Sequence, residues 1–161
     1  MRVVVSGSFD NLRTPHVRFL QEASRLGPVH LLLWSDEVVR AVEGKEPKFP
    51  QEERLYFMGA VRYVDRVTLV ESLPADAEGR PSPDALPEGA VAAGAVWAVT
   101  EAGDTPAKRV FCSRAGLAYR VELDDEGKLI ARITSGHDII GLAEVGDFDD
   151  ALKAGCGSED Y

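Results

Sequence analysis

The chain has 161 residues, 45% of them hydrophobic and 28% charged, enough for one domain with an ample core. A net charge of −9 argues against a non-specific grip on nucleic acid, which needs a basic face, and no apolar run reaches the length of a membrane span. Cys112 and Cys156 stand far apart without metal-ligand spacing, which fits reduced thiols in a cytoplasmic protein better than a disulfide framework; no secretory leader is expected, since the sequence goes straight into a strand.

Val3, Val4 and Val5 form a β-branched run suited to a strand covered on both faces of a parallel sheet. Gly7 follows, where the chain turns and a ligand can approach bare backbone. From His16 the apolar spacing becomes helical, with Phe19, Leu20, Ala23 and Leu26 on one face, Thr14 at the N-cap and Pro15 in the first turn. The free N–H groups and dipole of that first turn suit a phosphate, with Asp10 and His16 flanking it. Asp10 also reads as a cap of its own tight loop.

Val29 to Leu33 is a second apolar strand, within which His30 reads as a core-edge histidine. Asp36 can cap the helix carrying Val38, Val39 and Val42. Pro50 to Val64 reads as a helix and Arg66 to Val70 as a third strand. Residues 74 to 94, rich in Pro, Ala, Gly, Glu and Asp, read as a long flexible loop with few apolar anchors. Val96 to Val99 is a fourth strand, Pro106 to Ala115 a helix stopped by Gly116, and Leu117 to Leu123 a fifth strand. A hairpin turn at 124–127 leads into Leu129 to Ile133, residues 138 to 154 read as helical, and 155–161 as an acidic tail. Strands alternating with helices predict an α/β fold, a Rossmann-like doubly wound parallel sheet of about five strands in a single domain over 1–154.

The stretch Gly7-Ser8-Phe9-Asp10, five further residues and then His16 resembles the G-[TC]-F-D-x-x-H-x-G-H signature of the cytidylyltransferase-like nucleotidyltransferases. Within that family it is most similar to glycerol-3-phosphate cytidylyltransferases and the heptose-phosphate adenylyltransferase domain. Trp34-Ser35-Asp36, Gly44-Lys45-Glu46-Pro47, Gln51-Glu52-Glu53-Arg54, Tyr63-Val64-Asp65-Arg66-Val67, Ala102-Gly103-Asp104 and Ser135 before Ile139-Ile140 continue the resemblance in order. Two positions depart from the signature: Arg13 stands for its first histidine and Pro15 for its glycine. Ser135-Gly136-His137 replaces the Ser-Thr-Thr that opens the family's last helix. An arginine can clamp phosphate with its forked donors but does no acid–base work at neutral pH.

The resemblance implies a nucleotidyltransferase in which a phosphorylated acceptor attacks the α-phosphate of CTP or ATP and pyrophosphate leaves. It implies Mg²⁺ on the phosphates, with no protein-held metal site of its own. His16 and Arg13 would brace the developing charge, and Lys45 and Arg54 would hold the triphosphate or the acceptor. Gly7, Ser8, Phe9 and Asp10 would form the phosphate loop, and Gly103, Asp104, Arg132, Ser135 and His137 would sit near the base. His137 also reads as a cap of the last helix. A homodimer is the assembly implied, with neither nucleic acid nor membrane as partner. A non-catalytic nucleotide sensor on the same fold is the alternative. No Walker loop, dinucleotide fingerprint or nucleophile elbow is present to support a kinase, oxidoreductase or hydrolase.

Overall fold

A computed structural model describes residues 2–122, together with the backbone of 131–134 and 139–140. One sheet organises them, its strands β1 (Val3–Gly7), β2 (Val29–Trp34), β3 (Arg66–Val70), β4 (Val96–Thr100), β5 (Ala118–Glu122), β6 (Ala131–Thr134) and β7 (Ile139–Ile140) lying in the order β3-β2-β1-β4-β5-β6-β7. The first five are parallel, as expected, and β6 and β7 extend the edge antiparallel.

Alternate residues of each buried strand serve opposite faces. Val4, Leu32, Trp34, Trp97, Val99, Tyr119 and Val121 pack beneath α2 (Asp36–Glu43) and α4 (Pro106–Ala115). Val3, Val5, Leu31, Leu33 and Ala98 pack beneath α1 (Thr14–Ser24) and α3 (Gln51–Gly59). Burial on both faces explains why β1 and β2 read as continuous apolar runs. The fold is therefore a doubly wound α/β sheet. The chain runs from β1 outward to β3 and then returns to the other side of β1 with β4. The crevice between the carboxyl ends of β1 and β4 is thus the topological switch point, where ligands of such sheets bind.

Helix termini moved from their expected residues. The N-cap of α1 is Arg13, with Thr14 and Pro15 already inside the first turn. That of α2 is Ser35, whose hydroxyl accepts from Val38 N–H, so Asp36 is the first helical residue. α3 ends at Gly59, short of the expected Val64. Gly116, at φ 71, closes α4 in the left-handed conformation that the sequence anticipates.

Ile139–Ile140 is a strand paired with β6, which corrects the helix expected from 138 onward; a short β-branched pair satisfies its backbone at a sheet edge. The hairpin turn at 124–127, the remainder of 138–154, the tail 155–161 and Cys156 lie outside the described residues. The connection from 71 to 95 contains turns and one antiparallel bridge, Ala75–Pro81. It is anchored better than its composition suggests: Leu73 and Leu86 are buried, and Ala90 and Val91 pack on the core.

His30 is a satisfied core-edge histidine, as read. Its Nδ1 lies 3.2 Å from the Arg66 guanidinium and its Nε2 2.7 Å from the Thr68 hydroxyl. A guanidinium only donates, so Nδ1 accepts and Nε2 carries the proton. Burial pushes the pKa of this ring down.

Candidate functional site

A cleft of about 530 Å³ opens where β1 ends and α1 begins, within the usual size of a small-ligand site. Gly7, Ser8, Phe9, Asp10, Arg13, His16 and Lys45 all line it, so the structure brings together most of the residues that the sequence singled out. Asn11 and Glu43 line it as well and were not anticipated. Glu43 accepts from the Ser8 hydroxyl at 3.3 Å across 35 residues of sequence, a contact that no local pattern encodes.

The first turn of α1 sets the chemistry. His16 Nδ1 accepts from the backbone N–H of Arg13 at 2.9 Å. A backbone N–H can only donate, so Nδ1 is the bare nitrogen and the neutral ring carries its proton on Nε2. Its Nε2–H is therefore presented as a donor, and the ring's orientation is fixed by the capping bond. Arg13 and Lys45 are exposed cations on the same walls. With the Asn11 amide turned so that its oxygen faces the guanidinium, that oxygen accepts from Arg13 Nε at 3.1 Å and Nη2 at 3.2 Å. Three nitrogen donor groups and a helix N-terminus line this cleft and can take an anion, with the Asp10 carboxylate tied to backbone N–H groups and the Glu43 carboxylate accepting from Ser8 on the same walls.

Asp10 and Arg54 build this site from behind. Asp10 accepts from the backbone N–H groups of Lys48 at 2.6 Å and Phe49 at 2.8 Å, so it clamps a distant loop rather than capping its own. Both of its oxygens are thereby engaged. Arg54 is 2% exposed, and its guanidinium donates to the carbonyls of Phe49, Ser8 and Trp34 and to the Asp36 carboxylate at 2.7–2.9 Å. Arg54, expected to help hold the triphosphate or the acceptor, does not line this cleft; it ties the β1 loop, the end of β2 and the 45–50 loop together and lines a pocket beside them. Lys48 is exposed but is not among the cleft's lining residues.

Gly103 and Asp104 stand at the same sheet edge, after β4, but not among the residues lining this cleft. Asp104 is taken up by Arg109, through Nε at 3.1 Å and Nη2 at 2.7 Å, and by the Tyr119 hydroxyl at 2.9 Å. Lys108 donates to the Gly103 carbonyl and lies 5.7 Å from the centre of the Trp97 ring; burial lowers its pKa. Arg132 lies on β6 opposite Val121; its side chain, Ser135 and His137 lie outside the described residues. Among the described residues no group of three His, Cys, Asp or Glu is placed to hold a metal ion.

A donor-bearing cleft thus opens at the carboxyl end of β1 in a doubly wound α/β sheet. No family model matches the chain. Curated relatives do: the FAD synthase of Thermococcus kodakarensis is 41% identical over 68 residues, 42% of this chain and 46% of that protein. The FAD synthase of Pyrococcus abyssi is 40% identical over 72 residues, 44% of this chain and 49% of that protein. The bifunctional protein HldE of Trichlorobacter lovleyi is 42% identical over 71 residues, 43% of this chain and 14% of that protein. The matched stretch thus spans about half the length of the FAD synthases. Relatives and motif order agree in their similarity to the cytidylyltransferase-like nucleotidyltransferases, on a fold of the α/β class.

Proposed function

We propose that this protein transfers a nucleotidyl group, AMP in preference to CMP, from a nucleoside triphosphate to a small phosphorylated acceptor. The observation that carries the reading is the convergence of the His16 Nε2–H, Arg13 and Lys45 on one cleft over the first turn of α1. The preference for AMP rests on relatives named FAD synthase, whose product carries an adenylyl group on a flavin phosphate.

In this reaction an acceptor phosphate oxygen attacks the α-phosphorus in line. A new P–O bond forms while the bond to the bridging oxygen breaks, and its electron pair leaves on pyrophosphate. A phosphate dianion has no proton to lose, so the reaction needs no general base, in keeping with a cleft furnished with donors instead. His16 and Arg13 stabilise charge as it develops on the phosphoryl oxygens, which is how phosphoryl-type transfers are chiefly accelerated. Mg²⁺ would enter on the triphosphate and neutralise its oxygens, which suits a site whose Asp10 carboxylate is already committed to backbone N–H groups. The homodimer implied by the resemblance and the cytoplasmic location read from the two isolated cysteines are part of the same proposal. No helix among the described residues is long and apolar enough to cross a membrane.

The test is pyrophosphate release from ATP, CTP, GTP and UTP with Mg²⁺ and a panel of phosphorylated alcohols. Release with ATP and at least one acceptor is the expected result. Binding of a triphosphate without release in any combination would instead make the protein a nucleotide sensor.

A further inference from the structure

The phosphate cleft carries a carboxylate that neither its anion chemistry nor its local structure explains. Glu43 stands on the wall as the last residue of α2, exposed, and among the described residues its one hydrogen bond is from the Ser8 hydroxyl at 3.3 Å. The C-terminal turn of a helix is its negative end and disfavours an acid, so Glu43 is not there to stabilise α2. The charged groups around it have other partners or none. Asp10 holds two backbone N–H groups, and the Asn11 amide oxygen faces the Arg13 guanidinium. Arg40, in the same last turn of α2, is taken by Glu46 at 2.8 Å. Among the described residues neither Arg13 nor Lys45, the two exposed cations of the cleft, forms an ion pair with Glu43.

A carboxylate left without a counter-ion beside a polyphosphate site weakens binding by repulsion unless a cation comes between them. Mg²⁺ is ordinarily held by one or two carboxylates together with substrate phosphates, not by an all-protein cage. The groups present fit that pattern: a carboxylate whose second oxygen takes no hydrogen bond, and no cluster of three metal-ligating side chains among the described residues. We propose that Glu43 is the protein's own ligand for the Mg²⁺ that accompanies the triphosphate, and that it makes the cleft select the metal-complexed triphosphate over the free one. The proposal rests on the nucleotidyl-transfer reading and adds a metal-binding, selectivity-determining residue to that site. His16, Arg13 and Lys45 act on phosphate oxygens with or without the cation. Glu43 attracts the ligand only through the cation and opposes the bare polyphosphate, so one side chain works for the right ligand and against the wrong one. No bond forms or breaks at Glu43.

The test is calorimetric titration of ATP into the full chain with Mg²⁺ and, separately, with EDTA, read as the ratio of the two Kd values. The wild type should prefer the Mg²⁺ complex. Glu43→Gln should weaken binding of the complex while bare ATP binds as well as before or better. The preference should fall about tenfold, within the usual range of coupling between two ligands. Glu43→Asp should keep part of the preference. Ser8→Ala should leave the ratio at its wild-type value, since the coupling belongs to the carboxylate and not to the hydroxyl that it holds. A ratio unchanged in Glu43→Gln overturns the proposal: equal weakening would make Glu43 a support of the β1 loop, and equal tightening a source of repulsion alone. A Ser8→Ala variant that copies Glu43→Gln overturns it as well, because the carboxylate would then act by holding Ser8. So does a wild type that binds ATP indifferently to Mg²⁺. The two readings fail separately. ATP binding with an unaltered ratio removes only the role of Glu43, whereas no ATP binding in either condition removes the triphosphate site and that role with it.

Discussion

The two loops flanking the switch point carry similar groups and put them to opposite use. After β4, residues 101–105 close on themselves: Asp104 is filled by Arg109 and Tyr119, the Gly103 carbonyl takes Lys108, and the Thr105 hydroxyl donates to Asp84. After β1, residues 8–13 spend their acceptors on structure and direct donors toward the cleft. Asp10 clamps the 45–50 loop and His16 Nδ1 caps α1, while Nε2, Arg13 and Lys45 are offered outward. The difference teaches where to seek a ligand in such a fold: at the loop whose cations are held in place but not neutralised.

Removing the support beneath the open loop should have the largest effect. Arg54→Ala leaves three carbonyls and the Asp36 carboxylate without their buried partner and should cost about 3–5 kcal/mol in urea unfolding. Arg54→Lys should recover only part, since one ammonium cannot span those directions. A loss below about 1 kcal/mol would show that the brace is not what holds the cleft together.

Arg13 should show the converse, function without stability. Arg13→Ala should lower kcat by about 10²- to 10³-fold, the cost of one preorganised donor, with a smaller change in KM. Its unfolding midpoint should barely move, because an exposed guanidinium contributes little to stability. Arg13→His, the family residue, should keep substantial activity. Equal losses of activity and stability would erase the contrast between open and closed groups.

Glu122 tests whether an unsatisfied group away from the cleft is a liability rather than a site. It is 3% exposed on β5, near Glu22 and Arg25; Arg120 Nε lies 3.4 Å from one of its oxygens as an ion pair, and neither oxygen has a hydrogen-bond partner among the described residues. Burial pushes its pKa up to about 7, with Arg120 pulling the other way. A pKa raised in the folded state gives stability that is complete below the unfolded value, near 4.5, and is lost as pH rises through about 7. Glu122→Gln mimics the protonated form. It should therefore be nearly neutral at pH 4 and stabilising above pH 7, by on the order of 2–3 kcal/mol. A variant whose stability tracks the wild type from pH 4 to 8 would refute this.

The smallest effect belongs to the closed loop. Tyr119→Phe removes one hydrogen bond from Asp104 and should cost about 1 kcal/mol in unfolding. Nucleotide affinity, read by calorimetry, should stay the same. A loss of affinity would bring the loop after β4 into the ligand site.

Much of this arrangement was legible in the sequence because its signals are local. The valine run of β1, the Pro106 and Gly116 punctuation of α4 and the Gly7–His16 spacing each act within a dozen residues. Caps at Arg13 and Ser35 were displaced by one position because a cap is decided by backbone dihedrals, which neighbouring Thr14 and Asp36 mask. The role of Arg54 was hidden, since two of its acceptors, at Trp34 and Ser8, lie 20 and 46 residues away. Ile139–Ile140 was read as helix because two apolar residues carry no period.

The His16 Nε2–H is expected to face a phosphate in the cleft. Isothermal titration of ATP with Mg²⁺ into the wild type and His16→Ala tests it directly. Binding to the wild type and a loss of about 1.5–3 kcal/mol in the variant are expected, the worth of a hydrogen bond to a charged group. Equal affinity in the two proteins would contradict it.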